Sequence, residues 1–231
     1  MPDHFEIYSK HADQYEALVS REDYQQNIFR TLNQVIPFDN LTVVEFGAGT
    51  GRLTCMLAPV VKFIYAFDSS QQMLDVAIAK LQKSNRQNWQ VAVSDHRHVS
   101  VGKGVADVAI SGWSVCYIVV TNKETWQDEL SKTLSEMRRV ISPKGMLILL
   151  ETLGTGYEQP HQPDGLRPYY EYLAVQGFQH TWMRTDYQFR DITEAEMLTR
   201  FFFGDAMVEK ITRDERGVIL PECTGIWWLK E

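Results

Sequence analysis

The stretch VVEFGAGTGRL, residues 43–53, sets Gly47, Gly49 and Gly51 at alternate positions between an apolar run and a segment of helical character. Glycine tolerates positive φ and lets another group approach the backbone, so the expectation is a strand-to-helix turn that admits a ligand. A dinucleotide fingerprint needs Gly-x-Gly-x-x-Gly, whose third glycine permits close packing of helix on strand. Arg52 stands in that place. The pattern is instead Glu-x-Gly-x-Gly-x-Gly from Glu45, which points away from a ligand held by its pyrophosphate.

Outward from this turn, short apolar runs alternate with helical periods, the pattern of a parallel sheet covered by helices. LTVVEFG, KFIYAFD, WQVAVSD, VADVAISGW and GMLILLE read as five strands suited to burial on both faces. TGRLTCMLAPV reads as a helix ending near Pro59, and Met73, Leu74, Ala77, Ile78 and Leu81 form a stripe that lies on the sheet. Trp126, Leu130, Leu134, Met137 and Ile141 mark the longest helix, stopped by Pro143-Lys144-Gly145. In the tail, QGFQHTWMRTDYQF and RGVILPECTGIWWLK read as extended segments flanking the helical EAEMLTRFFFG, with Pro221 implying a bulge or an edge position. Residues 1–37 read as one or two helices, and residues 152–170 as a Gly/Pro-rich loop beyond the fifth strand.

Parallel strands share a direction, so Asp68, Asp95 and Ser111-Gly112-Trp113 reach the same sheet edge as the glycine turn. A carboxylate at Asp68 accepts both hydroxyls of a ribose, and Asp95 accepts from an exocyclic amine. The helix start beyond Thr50 favours a carboxylate. Together these groups describe a nucleoside joined to an amino acid.

On these residues the chain resembles the class I S-adenosylmethionine-dependent methyltransferases of small-molecule type. VVEFGAGTGRL matches the family's first motif, YAFDSSQQML the second, VAVSDHRHV the third, ADVAISGWSVCYI the fourth, and EMRRVISPKGMLILLE the segment after it. The resemblance implies an α/β, Rossmann-like fold with helices on both faces of a seven-stranded sheet of order 3-2-1-4-5-7-6. Strands 1 to 6 run parallel and strand 7 antiparallel. It implies one methyltransferase domain over 1–231: a helical cap (1–37), a cofactor-binding core (38–152), and an acceptor-side loop, helices and closing strands (153–231). Carried over by position, Glu45 and Gly47 face the methionine part of S-adenosyl-L-methionine, and Ala48, Gly49 and Gly51 form the turn. Asp68 holds the ribose, Ser69 and Met73 flank the adenine, and Asp95 and His96 meet its amine edge. Ser111 and Trp113 line the floor beneath the sulfonium, while Tyr8 and Tyr15, in YSKHADQYEAL, cover the cofactor.

Methyl transfer from a sulfonium is an in-line displacement that needs alignment and exclusion of water, with a general base only where the acceptor must lose a proton. His161, Glu151 and Tyr157 are the candidate catalytic residues, with Tyr169 beside them. Alternatives are a nicotinamide-dependent oxidoreductase on a similar sheet and an S-adenosylmethionine-binding protein without catalysis.

Composition narrows the partners. The 231 residues are 44% hydrophobic, and 23 basic against 30 acidic side chains leave a net charge of −7, which disfavours a surface built for nucleic acid. A small-molecule acceptor is expected, entering between the N-terminal helix and the loop over 152–170. Cys55, Cys116 and Cys223 are widely spaced, as for reduced thiols, and no metal-ligand pattern occurs. The opening residues lack the pattern of a secretory signal and no run reaches bilayer length, so a cytoplasmic protein without membrane association is expected. The sequence leaves oligomeric state open.

Overall fold

Val43 and Val44 face opposite ways, as successive strand residues must, and this alternation organises two layers of core. A computed structural model describes residues 4–231; the first three residues of the expected N-terminal cap lie outside them. The chain begins with α1 (His4–Lys10), α2 (Ala12–Val19) and α3 (Asn27–Val35), followed by β1 (Thr42–Phe46) and α4 (Arg52–Leu57). Next come β2 (Phe63–Asp68), α5 (Gln71–Lys83), β3 (Trp89–Val93), β4 (Ala106–Gly112), α6 (Cys116–Thr121), α7 (Trp126–Val140) and β5 (Ile141–Thr155). The remainder comprises α8 (Arg167–Val175), β6 (Gln179–Arg184), β7 (Tyr187–Phe189), α9 (Ile192–Phe203), α10 (Asp205–Val208), β8 (Thr212–Asp214), β9 (Gly217–Leu220) and β10 (Glu222–Lys230).

Seven strands form one sheet in the order β3-β2-β1-β4-β5-β10-β6. Its inner strands pair in parallel, and β10 lies antiparallel between β5 and β6. This is the expected order, with β10 as the seventh strand. One face buries Val44, Phe46, Ala109, Leu147 and Leu149 against Leu130, Leu134 and Met137 of α7 and Tyr169 and Leu173 of α8. The other buries Val43, Ile64, Val108, Ile110, Ile148 and Ile226 against Ile28 and Leu32 of α3 and Leu53 and Leu57 of α4. Helix α7 carries Asp128 and Glu129 in its first turn and Arg138 and Arg139 in its last, matching the ends of the helix dipole.

Two local expectations are corrected, and the bulge expected at Pro221 is found. The N-terminal segment forms three helices: His11 breaks the first at φ −130 and ψ 33, and Gln26 adopts a left-handed conformation before the third. The extended tail divides between two sheets, because β7, β9 and β8 pair into a separate antiparallel one that packs Tyr187, Phe189, Val218 and Leu220 against α9. Pro221 sits between β9 and β10, where the missing N–H is no loss to either ladder, and the register of β10 on β5 shifts between Glu222 and Thr224.

The site is set by register. Phe46 pairs with Phe67 on one side and Ser111 on the other, so the residues after β1, β2 and β4 emerge together at one edge. Among the described residues no helix is long and apolar enough to cross a membrane, and no group of side chains is arranged to hold a metal ion.

Candidate functional site

Gly47 begins the turn at φ +75, its N–H and that of Ala48 both donating to the carbonyl of Phe67 at 2.8 and 2.9 Å. The backbone is thus folded over the end of β2. A Cβ on Gly47 would lie 2.0 Å from Ser114 Oγ and 3.0 Å from His96 Nε2, so only glycine lets these loops meet. Asp68 closes the turn: Gly49 N donates to its Oδ2 and Ser70 N to its Oδ1, each at 2.8 Å. An ionised carboxylate has about four acceptor positions, which leaves room for ligand hydroxyls. Ser70 caps α5 by accepting from Met73 N at 3.3 Å and donates from its Oγ to the Tyr8 carbonyl at 2.8 Å, fastening α1 to the same corner.

These groups wall a cavity of about 890 Å³. Of the expected cofactor residues, Tyr8, Tyr15, Glu45, Gly47, Ala48, Gly49, Asp68, Ser69, Met73, Asp95, His96 and Trp113 line it. Two do not. Ser111 is fully buried, its hydroxyl donating to the Phe46 carbonyl at 2.8 Å across the β1–β4 pair; Gly112 and Ser114 reach the cavity instead. Gly51, at φ +80, faces α5, where a Cβ would lie 2.8 Å from Ala77 Cβ. Its role is the close packing of two helices.

Tyr8 and Tyr15 do not share one helix, since His11 separates α1 from α2, yet their rings meet edge to face at 5.5 Å. The Tyr8 hydroxyl donates to the Tyr117 hydroxyl at 2.7 Å, joining the N-terminal helices to α6. Lys80 Nζ donates to Glu16 Oε1 at 2.6 Å and ties α2 to α5. Ser114, Tyr117, Ile118 and Thr133, not singled out in the sequence, also stand on the cavity wall, as does Arg52, marked there only for breaking the dinucleotide pattern. The apolar run of VADVAISGW carried a strand signal but no sign that a short helix follows it over the cavity.

The expected catalytic residues are not brought to this cavity. Strand β5 continues five residues beyond Leu150, the partner of Gly112, and pairs with β10 as far as Thr155. The loop that follows turns back along this extension, His161 N donating to the Leu153 carbonyl and His161 packing on Gly154. Tyr157 and His161 stack on each other there at 4.1 Å. Tyr170 donates to the Thr152 carbonyl at 2.6 Å and stacks on Trp227 at 4.7 Å. Glu151 is fully buried, accepting from Cys116 N at 3.0 Å and from the Tyr169 hydroxyl at 3.1 Å, and burial pushes its carboxyl up to about 7. It fixes the start of α6 rather than facing the cavity.

Three electrostatic features distinguish the wall. Glu45 is 1% exposed and accepts from Thr54 Oγ1 at 2.6 Å; burial pushes its carboxyl up to about 8. Burial likewise lowers the His96 imidazole below its ordinary value. The Arg97 guanidinium, donating to both oxygens of Asp95 at 2.7 Å, holds that carboxyl down to about 2.

The raised value for Glu45 has a consequence for stability. The native state binds a proton there that the unfolded chain has released, so this stabilisation is fully present below about 4.5 and is lost as pH rises through about 8. Thermal melting of the ligand-free protein should therefore show the wild type losing stability relative to Glu45→Gln across that window. A constant difference between the two would mean that Glu45 is ionised throughout.

The comparisons with known proteins agree with this fold. Residues 44–149 match the family described as Methyltransferase domain. The chain is 24% identical over 151 residues to a demethylmenaquinone methyltransferase of Lactococcus lactis, covering 64% of this chain and 56% of that protein. It is 26% identical over 147 residues to the biotin biosynthesis bifunctional protein BioHC of Saccharophagus degradans, covering 64% of this chain and 24% of that one. The chain thus matches about half or less of the length of these relatives. Among solved structures, N-methyltransferase NodS of Bradyrhizobium japonicum, in complex with S-adenosyl-L-homocysteine, superposes with a TM-score of 0.54 at 11% identity, covering 90% of this chain and 86% of NodS.

Proposed function

We propose that the protein, whose residues 44–149 match the family described as Methyltransferase domain, binds S-adenosyl-L-methionine in the cavity and transfers its methyl group to a small-molecule acceptor. The observation that carries the reading is the Gly47–Gly49 turn locked onto Asp68 at the mouth of an 890 Å³ cavity. The residues suit such a cofactor. Gly49 is open, a Cβ there meeting only Met73 Cε at 3.5 Å, and Asp68 keeps acceptor capacity for ribose hydroxyls. Met73 and Ser69 flank the adenine, and Glu45 lies towards the amino-acid end. Asp95, already held by Arg97, presents only its remaining lone pairs to the adenine amine.

When bound, the cofactor supplies a methyl group activated on a sulfonium. The chain's own contribution is placement: Trp113, Tyr8, Tyr15 and Tyr117 form an aromatic cover that excludes water and restricts the acceptor's approach. The acceptor enters beside α6 and the first turn of α7, whose Tyr117, Ile118 and Glu129 border the cavity, rather than past the 152–170 loop. For an acceptor that must shed a proton, His96 is the imidazole on the wall, its value lowered by burial and its Nε2 3.3 Å from Ser114 Oγ. Three unpaired cysteine thiols support a reducing, cytoplasmic setting.

Titration with S-adenosylhomocysteine tests the reading, followed by a methylation screen of metabolites, RNA and proteins. Binding together with turnover of a metabolite supports it. Methylation confined to RNA or protein would overturn the acceptor class, and preference for a nicotinamide dinucleotide would overturn the cofactor. Within the same assay, Tyr15→Ala should weaken cofactor binding by roughly two- to tenfold, the worth of an aromatic contact. An unchanged affinity would reduce the N-terminal helices to packing.

A further inference from the structure

Arg52, the residue that breaks the dinucleotide pattern, is not accounted for by the nucleoside end of the cofactor. Its guanidinium stacks 4.0 Å from the centre of the Trp113 ring, and Nη1 donates to Glu22 Oε2 at 2.6 Å. The second terminal nitrogen, Nη2, is buried and has no hydrogen-bond partner. Leaving a charged donor unpaired in a buried place is costly, and the stack itself is held under constraint. Trp113 adopts φ +49, a conformation that bulky residues take up only when their surroundings impose it.

Position sharpens the point. Arg52 belongs to the wall between the main cavity and a second one of about 520 Å³. Glu22, which lines the second cavity and is 3% exposed, holds the guanidinium from behind, and Trp113 holds its flat side. The other arginine of the main cavity is committed: Arg97 donates through Nε and Nη2 to Asp95 and through Nη1 to Glu129. No carboxylate of the main cavity answers Nη2. Asp68 is engaged by Gly49 and Ser70, and Glu45 is paired with Thr54. An oriented guanidinium edge of this kind suits a planar carboxylate.

We propose that Arg52 is the carboxylate seat of the cavity, receiving on its Nη2 edge a carboxylate carried by a ligand. The proposal rests on the methyltransferase reading above. Two ligand carboxylates have the required chemistry: that of the cofactor's amino-acid end and that of a carboxylic-acid acceptor. Glu22 and Trp113 act as positioning residues, fixing the guanidinium so that little ordering remains for the ligand to impose.

The test measures S-adenosylhomocysteine and 5′-methylthioadenosine, which lacks the amino-acid end, on the wild type, Arg52→Gln and Arg52→Lys. Lysine keeps the charge but not the two-pronged geometry, and serves where the glutamine variant does not fold. If the seat serves the cofactor, both variants lose S-adenosylhomocysteine affinity, the glutamine variant by roughly tenfold to a hundredfold, while 5′-methylthioadenosine binds as before. If it serves the acceptor, neither cofactor analogue is affected. A panel of carboxylic acids then raises the melting temperature of the S-adenosylhomocysteine-loaded wild type where the matching amides do not, and the variants lose that difference. Equal loss of both analogues, or no change in either with no carboxylate-specific shift, would overturn the seat. Failure of the wild type to bind either analogue would instead remove the cofactor reading on which it rests.

Discussion

Asp68→Ala is expected to lower affinity for S-adenosylhomocysteine by at least about tenfold while leaving the sheet folded. A carboxylate at this position makes two kinds of bond. It accepts from Gly49 N and Ser70 N, holding the glycine turn and the start of α5 in register, and on the present reading it accepts from the ribose hydroxyls. Charge-assisted hydrogen bonds contribute about 1.5–3 kcal/mol each, so losing the ribose pair alone reaches tenfold or more. Loss of the turn's anchor adds to it by raising the cost of ordering the loop on binding. Asp68→Asn keeps one acceptor oxygen and should fall between wild type and alanine. Calorimetry on the three proteins checks the order, and equal affinities would remove the ribose assignment.

The second large effect belongs to a glycine that the sequence reading gave to the ligand. Gly51→Ala should destabilise the protein by about 2–5 kcal/mol, combining the strain of a left-handed residue with overpacking. The added Cβ would lie 2.8 Å from Ala77 Cβ and 3.2 Å from Ala77 Cα, and the backbone atom cannot rotate away. Roughly 5–15 °C of melting temperature is at stake for a chain of this size. The companion variant Gly51→Ala with Ala77→Gly removes the clash but keeps the strain, and should recover part of the loss. A melting temperature within a degree of wild type for Gly51→Ala would show that the helices can separate, contrary to the packing argument.

These two positions mark how far the sequence could be read. The strands around the turn were legible because fully buried parallel strands have a plain composition, and their shared direction put Asp68, Asp95 and Trp113 at one edge without further information. The glycine spacing could not tell a residue that faces a ligand from one that faces a helix. That distinction depends on which side of the turn α5 occupies, and a linear pattern does not carry it. Ser111 was misassigned for a related reason: at the end of β4, whether a hydroxyl turns outward or bonds across to the Phe46 carbonyl is decided by the neighbouring strand.

The catalytic residues were the least legible. Placing Tyr157 and His161 by the site assumed that β5 ends near Glu151, whereas pairing with β10 prolongs it to Thr155. A partner some 70 residues away in sequence thus decides the matter. The short helix α6 was missed because Cys116–Thr121 is apolar and β-branched, a strand-like composition overridden by its seat over the cavity and by Glu151 accepting from its first N–H.

The most direct test of the account is a crystal structure of the protein with S-adenosylhomocysteine. The ribose hydroxyls are expected on Asp68, the adenine against Met73 and the sulfur facing Trp113 and Tyr15. Ligand bound elsewhere, or a ribose directed away from Asp68, would contradict it.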